Sequence, residues 1–447
     1  MKLTRRHFLS STLAGGALTA AGCATNGPGL ERAGADAGRA PSPNGQLGIA
    51  CFGCGGQGGA DLRAVSDERI IALCDVDSER ASGAFRAYPD VPKYTDYREL
   101  LDKHHHEIDA VTVSTPDHMH GPIALAAMEL GKHVYVQKPM ARTVAETRWL
   151  RDTAREYGVI TQMGNQGHSL PGCWMLRDMV QAGFAGEITE VHAWTNRAHW
   201  PQGIDRPRDN PETPESLDWE RWLGVAPHRP YHPAYHPGRW RGWWDFGTGA
   251  MGDMGCHVLD PVFTALEPGL PIRVSAEHSG VNNETLPKSA IITVEFPARN
   301  GMPPLTLKWF DGGELPPLPE GVESFDELGR EPSGTLYYGS EGILYAGEYG
   351  GFARDINSER QAAWEATNPE RHSGVNHQRA WAEACKSGEQ PLSNFDYSWT
   401  LTEASLVGVL ALRADGPVEY DGDAMRFTND DALNEFIYPH YELGQHA

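Results

Sequence analysis

The sequence predicts an α/β protein whose first domain is a doubly wound parallel sheet, and three observations predict it. A short apolar run, Leu47 to Phe52, leads straight into Gly53-Cys54-Gly55-Gly56-Gln57-Gly58 and then a helical pattern through Ala60, Leu62, Ala64 and Val65. A second apolar run, Ile70 to Cys74, ends at Asp75, twenty residues beyond Gly55. Strand-like and helix-like segments then alternate: Asp109 to Ser114, Ile123 to Leu130, Lys132 to Val136, Thr143 to Tyr157. Alternation at this spacing argues right-handed crossovers, a parallel sheet, and a ligand at the C-terminal ends of its strands.

The glycines have separate jobs. Gly53 permits the tight turn, Gly55 lets a pyrophosphate approach the backbone, and Gly58 lets the helix pack close to the strand. Gly56 and Gln57 would open the helix, whose free N–H groups and dipole favour phosphate. Asp75 can accept both ribose hydroxyls and would repel a 2′-phosphate, which points to NAD in preference to NADP. Two patterns here are decoys. Cys51 and Cys54 spell C-x-x-C, but one falls in the strand and the other in the turn, where small residues suit tight packing. His104-His105-His106 follows the helical stretch Tyr97 to Leu101 and reads as a solvated helix end rather than a metal tract.

At 447 residues the chain is long enough for two domains with appendages. The predicted division is 1–23, a targeting segment; 24–46, a Gly-, Ala- and Pro-rich tether; 47–165, the cofactor domain; and 166–447, a substrate domain. Apolar residues at 40% and charged residues at 22% exclude wholesale disorder. A formal charge of −22 disfavours nucleic acid and anionic membrane surfaces as partners. Arg5-Arg6 followed by a short stretch rich in Ala and Gly resembles a twin-arginine (Tat) signal, the route that exports folded proteins. Ala20-Ala21-Gly22-Cys23 resembles a lipoprotein cleavage box, with Ala20 where Leu is preferred. These segments predict Tat machinery as a partner and an exported protein, periplasmic or lipid-anchored at the periplasmic face, touching membrane only through signal or anchor.

The fourth strand runs into Gln137-Lys138-Pro139. With the glycine loop and Thr115-Pro116-Asp117-His118-Met119-His120, this resembles the Gfo/Idh/MocA family, relatives of glucose–fructose oxidoreductase and inositol 2-dehydrogenase. The resemblance covers Leu47 to about Tyr420. It implies a Rossmann domain followed by an α/β domain with a large, open, mainly antiparallel sheet, and a homo-oligomer. It further implies cofactor contacts from Ser114, Thr115, Pro116, His120, Gln137 and Lys138. The family's usual tripeptide is Glu-Lys-Pro; Gln137 keeps hydrogen-bonding capacity but drops a charge. Gly252-Asp253-Met254-Gly255-Cys256-His257 resembles the family's Asp-x-x-x-His segment, and an i, i+4 pair projects from one helix face. Carried over, Lys138, Asp253 and His257 would surround a hydroxyl being oxidised. His257 is suited to take its proton, Lys138 to stabilise alkoxide character, and Asp253 to orient the relay.

Seven of the 13 tryptophans fall between Trp194 and Trp244, in a long stretch rich in Pro, Arg, His and Tyr without clear periodicity. Flat aromatic faces suit sugar rings, so Asn196, Arg197, Arg241, Trp243 and Trp244 are candidates for a carbohydrate subsite, together with Asn165 and His168. The same aromatics could equally staple the loop or form a subunit contact. His228, His232 and His236 stand four apart, but Pro230, Pro233 and Pro237 break any helix that would align them on a metal, and no metal is expected. Beyond the loop, Ile291 to Phe296 and Leu305 to Phe310 read as strands, and Trp381 to Cys385 and Leu401 to Leu412 as helices. The expected function is an NAD-dependent oxidoreductase acting on a sugar, glycoside or polyol with tightly bound cofactor. The alternative is an NAD-dependent glycoside hydrolase working by transient oxidation, elimination, water addition and re-reduction.

Overall fold

A computed structural model describes residues 45–329, 332–369 and 372–441. The expected signal and most of the tether lie outside these residues. In the first domain, strands β1 (Gly48–Phe52), β2 (Arg69–Cys74), β3 (Lys93–Tyr94), β4 (Ala110–Val113), β5 (His133–Val136) and β6 (Thr161–Met163) form one sheet. Their order is β3-β2-β1-β4-β5-β6 and every pairing is parallel. All five residues of β1 are buried, as a strand covered on both faces requires. The order reverses between β1 and β4, which opens the ligand crevice above their C-terminal ends.

The helices of this domain are α1 (Gly56–Ala64), α2 (Ser82–Ala87), α3 (Tyr97–His104), α4 (Asp117–Glu129) and α5 (Val144–Tyr157). Thr143 and Glu146 close a reciprocal capping box on α5, and Gly158, at φ 64°, ends it. Two sequence boundaries move. Helix α4 begins six residues before Ile123, at Asp117, because Pro116 can start a helix without needing its missing N–H. Helix α3 runs through His104 rather than stopping at Leu101, and His104 bonds Tyr94 and Glu107.

The second domain adds α6 (Pro171–Gln181), α7 (Trp219–Leu223), α8 (Gly249–Val258), α9 (Asp260–Leu266), α10 (Phe325–Gly329), α11 (Ser358–Thr367), α12 (His377–Ser387) and α13 (Phe395–Ala411). Its strands are β7 (Ile188–Trp194), β8 (Arg273–His278), β9 (Ala290–Phe296), β10 (Leu305–Asp311), β11 (Gly334–Gly339), β12 (Ile343–Gly347), β13 (Ala353–Asp355), β14 (Val418–Asp421) and β15 (Arg426–Phe427). They form a nine-stranded sheet in the order β13-β12-β11-β7-β10-β9-β8-β14-β15, antiparallel except for β7 beside β10. Helices α6, α8 and α13 pack against this sheet, with α9 behind α6 and α8. Residues along β9 alternate buried and half-buried, as a sheet packed on one face should.

Helix α13 is buried nearly all round because it is shared: it packs on α8, β8 and β9 on one side and on α5 and β6 of the first domain on the other. Bidentate pairing of Arg148 on α5 with the fully buried Glu403 on α13 fixes that contact. The two domains therefore share a core, and the crevice above β1 and β4 faces α8.

Candidate active site

The glycine loop is built around two close approaches. Gly53 has φ 78°, and a Cβ there would lie 2.6 Å from the Ser114 carbonyl oxygen. A Cβ on Gly58 would lie 2.0 Å from the Gly53 carbonyl oxygen, so only glycine lets α1 sit this near β1. No side chain caps the N-terminus of α1, which leaves its first N–H groups to face a phosphate. The Asp75 carboxylate accepts N–H bonds from Cys54 (2.7 Å), Gly55 (3.2 Å) and Asp77 (2.9 Å). It thus fixes the turn while lining the crevice; burial pushes its carboxyl up from the ordinary range.

Gly53, Gly55, Gly56, Gln57, Asp75, Ser114, Thr115, Pro116, His120, Gln137 and Lys138 all line one cavity of 880 Å³. Gly58 stands just behind it. His120 is held between two carbonyls, Pro139 O at 2.7 Å and Thr115 O at 2.8 Å. An uncapped helix start, a glycine cradle and a carboxylate at the end of β2 fit a dinucleotide.

The departure at Gln137 has a structural partner. Gln137 Nε2 donates to Asp61 Oδ2 (2.9 Å), and the same carboxylate accepts Ser114 Oγ (2.8 Å), Gln57 Nε2 (3.0 Å) and Gln378 Nε2 (2.9 Å). Asp61 is wholly buried among these neutral donors. The carboxylate that the Glu-Lys-Pro pattern would place at the end of β5 is carried here by α1, and Gln378 of α12 ties it to the second domain. No sequence motif marks Asp61; its only signal is an acid three residues past Gly58 on an otherwise apolar face.

Across the cavity, Lys138 Nζ donates to both the carboxylate and the backbone oxygen of Asp253, each at 2.8 Å. Arg241 reaches the same carboxylate at 3.2 Å and Arg197 at 3.8 Å. Burial alone would raise the Asp253 carboxyl, but the charges of Arg241 and Lys138 outweigh it and hold it well below the usual range. Asp253 is therefore a fixed anion, not a base. One turn later on α8, burial first and Lys138 second push His257 well below an ordinary histidine. Its Nδ1 makes no hydrogen bond among the described residues, and Tyr349 packs edge-on against its ring at 4.8 Å. The imidazole is therefore neutral, with Nδ1 unbonded among the described residues, and stands beside a cation that can hold an oxygen. Sequence reasoning missed Tyr349, which lies in an irregular turn after β12 with no motif around it.

The substrate candidates separate. Arg197 and Arg241 line the cavity. Asn165 and His168 do not: both are buried and bonded to Asp260, which also accepts from Tyr397. His168, Cys173 and Asp260 bring ligand-type atoms within 4.8 Å of one another, but hydrogen bonds already complete the Asp260 carboxylate. Asn196 is exposed, bonds Arg197, and is absent from the cavity wall. Trp243 is fully buried and donates to Ala234 O, and Trp244 donates to Asn282 O with Arg413 stacked on its ring. Their faces are spent on packing, so neither is a sugar platform. The three spaced histidines diverge to Glu220, Asp209 and Asp77.

A family model described as an oxidoreductase family with an NAD-binding Rossmann fold matches residues 47–165, and its companion, a C-terminal alpha/beta domain, matches 177–296. Together they take in just over half of the chain. The chain belongs to the Gfo/Idh/MocA oxidoreductase family. Its first domain is an NAD-binding Rossmann domain. Levoglucosan dehydrogenase of Pseudarthrobacter phenanthrenivorans is 25% identical over 44% of this chain and 42% of its own length. A glycosyl hydrolase family 109 protein of Solibacter usitatus is 32% identical over 34% of this chain and 38% of its own. The aligned stretch thus spans about two-fifths of each of these relatives. Among solved structures, the WlbA dehydrogenase from Bordetella pertussis, in complex with NADH and UDP-GlcNAcA, has a TM-score of 0.57 at 15% identity. It covers 84% of this chain and 99% of that one, a likeness of fold.

Proposed function

We propose that this Gfo/Idh/MocA protein oxidises a ring hydroxyl of a sugar, glycoside or polyol to the ketone, passing the hydride to an NAD it keeps between turnovers, and that a second carbonyl substrate then takes the hydride and is reduced to its alcohol. The observation that carries the reading is the convergence of Lys138, Asp253 and His257 on a cavity whose other wall is the glycine loop. Gly53, Gly55, Asp75, Ser114 and Gln137 would hold the dinucleotide, which supplies a hydride acceptor when bound. Lys138 Nζ would donate to the substrate oxygen and stabilise its alkoxide character. His257, neutral at pH 7, would take the hydroxyl proton. Asp253 keeps Lys138 and Arg241 in place and compensates their charge. Similarity to levoglucosan dehydrogenase supports carbohydrate as the substrate class.

Similarity to the family 109 protein favours a second reading, in which oxidation is transient and a glycoside is cleaved with no net redox change. Incubation with aryl glucosides in deuterated water separates the two. A keto-sugar product supports the oxidoreductase; a free sugar carrying deuterium beside the oxidised carbon supports the hydrolase. The absence of both, with NAD bound, would overturn sugar oxidation.

Export is part of the proposal: Arg5-Arg6 and the following residues would carry the folded, NAD-loaded protein outward, with Cys23 as an anchor point. A reporter fused after residue 46 that stays in the cytoplasm would refute it. No helix of the described residues is long and apolar enough to cross a membrane. We expect a homo-oligomer, checked by light scattering of the purified protein.

A further inference from the structure

The Trp-rich segment lies across the first domain. Its two ends are pinned side by side to the second domain: Gly203 N–H donates to Leu286 O (2.8 Å) and Trp244 N–H to Glu284 O (3.1 Å). Between them, the chain crosses to the loop after β2. Ser78 N–H donates to Ser216 O (2.9 Å) and Asp218 N–H to Val76 O (2.8 Å), so Asp77 and Leu217 form an antiparallel bridge between the domains. His236 Nε2 bonds Asp77 Oδ2 at 2.7 Å. Asp77 meanwhile accepts the N–H groups of Glu79 and Arg80. A second foothold is His118, which donates its N–H to Phe246 O (3.2 Å) and bonds Trp222 O through Nε2 (3.0 Å).

The segment has a core of its own. Trp219 and Trp222 stack at 4.7 Å, Tyr235 and Phe246 pack on them, and Trp219 Nε1 donates to Arg229 O. Val76, Asp77 and Ser78 directly follow Asp75, the carboxylate placed for the adenosine ribose. Arg221, Trp222, His236 and Trp240 line the cavity opposite Asp75 and Arg80.

We propose that residues 204–243 are a clamp, contributed by the substrate domain, that closes over the adenosine half of NAD and sets its rate of release, with the His236–Asp77 pair as its latch. The proposal rests on the reading that NAD occupies this cavity. It gives retention of the cofactor a physical basis: release requires the latch and the inter-domain bridge to open together.

Two variants test it in the full chain, with release of bound NAD followed by rapid desalting and by chase with unlabelled NAD. His236→Ala should release NAD at least tenfold faster, and His236→Gln, whose amide can still donate to Asp77, should recover slow release. Ser78→Cys combined with Ser216→Cys tests the clamp in the other direction. Directly opposed residues of an antiparallel pair stand about 5 Å apart at Cα, within disulfide range. The oxidised double variant, loaded beforehand, should hold NAD through desalting and let it go on reduction. Equal release rates in the oxidised and reduced forms, or a natively melting His236→Ala that releases NAD at the wild-type rate, would overturn the clamp while leaving NAD binding intact. A wild-type chain that neither carries NAD on purification nor binds it by titration would overturn the cofactor reading and the clamp with it.

Discussion

Replacing Gln137 by Glu would restore the family's usual tripeptide and should nevertheless damage this protein. Gln137 Nε2 stands 2.9 Å from Asp61 Oδ2, inside a pocket with no exposure at Asp61. A second carboxylate at that distance would be repelled by roughly 6 kcal/mol at an effective dielectric of about 20. Two carboxyls so placed relieve the repulsion by sharing a proton. The variant therefore carries one carboxyl with a raised folded-state pKa, and its sign is fixed. That contribution is fully present below the unfolded value near 4.3 and is lost as pH rises through the folded value. Gln137→Glu should be close to wild type at pH 5 and about 2–4 kcal/mol less stable than wild type at pH 8, a partial share of the repulsion because neighbouring donors relax. Urea denaturation at both pH values reads this directly, and NAD titration at pH 8 should show weakened binding. Adding Asp61→Asn returns one carboxylate and one amide to the pair with their places exchanged, and should recover most of the stability and the wild type's own pH response. A Gln137→Glu variant as stable as wild type at pH 8, or one that Asp61→Asn makes worse, would refute the exchange of charge between α1 and β5.

Other predictions follow from the same geometry. Gly58→Ala places a methyl 2.0 Å from the Gly53 carbonyl oxygen, and forcing the helix away should weaken NAD binding by roughly 5- to 150-fold in calorimetric titration, given overpacking costs of roughly 1–3 kcal/mol. Lys138→Met and His257→Gln should each lower kcat on a turned-over sugar by roughly 10²–10⁴-fold with NAD affinity changed far less; Arg241 still neutralises Asp253 in the first variant, so its thermal midpoint should stay near wild type. Acid should destabilise the fold before carboxylates titrate. Burial pushes His118 to about 3 and His377 to about 4, so between pH 6.5 and 4 the unfolded chain binds protons that the folded chain refuses, and each histidine contributes a loss of up to about 1.4 kcal/mol per pH unit. Asp311, raised by burial to about 7, has the opposite sign and offsets one of them. Urea midpoints at pH 7 and 5 should therefore fall toward acid, and a rise would contradict the two buried neutral histidines.

The first domain was legible because its signals are local. Every residue from Gly48 to Cys74 that identifies the fold lies within one strand–turn–helix–strand unit, where glycine conformation and helix capping are decided by neighbours in sequence. The second domain was legible only as scattered strands. Pairing of β7 with β10 and β11 joins segments more than a hundred residues apart, and alternation in a half-buried strand says which face is covered but not by whom. Helix α13 illustrates the limit: its all-round burial comes from lying between two domains, and its sequence reports apolar residues without reporting two partners.

The candidate site divides along the same line. Lys138, Asp253 and His257 were legible through a motif, yet their chemistry depends on Arg241 and Arg197, which arrive from a segment with no periodicity and decide that Asp253 is an anion rather than a base. The tryptophans mislead for a related reason. An indole placed against a sugar and an indole placed in a core have the same composition around them; what distinguishes them is where the ring N–H is satisfied and whether a face is left open. In this chain Trp219, Trp243 and Trp244 all give their N–H groups to backbone carbonyls of the loop or of the connection between β8 and β9 that anchors it. That is the arrangement of a loop that must hold its shape. A loop with its own core and two inter-domain footholds can transmit a constraint from the substrate domain to the far end of the cofactor, which a sugar platform made of open indole faces could not do.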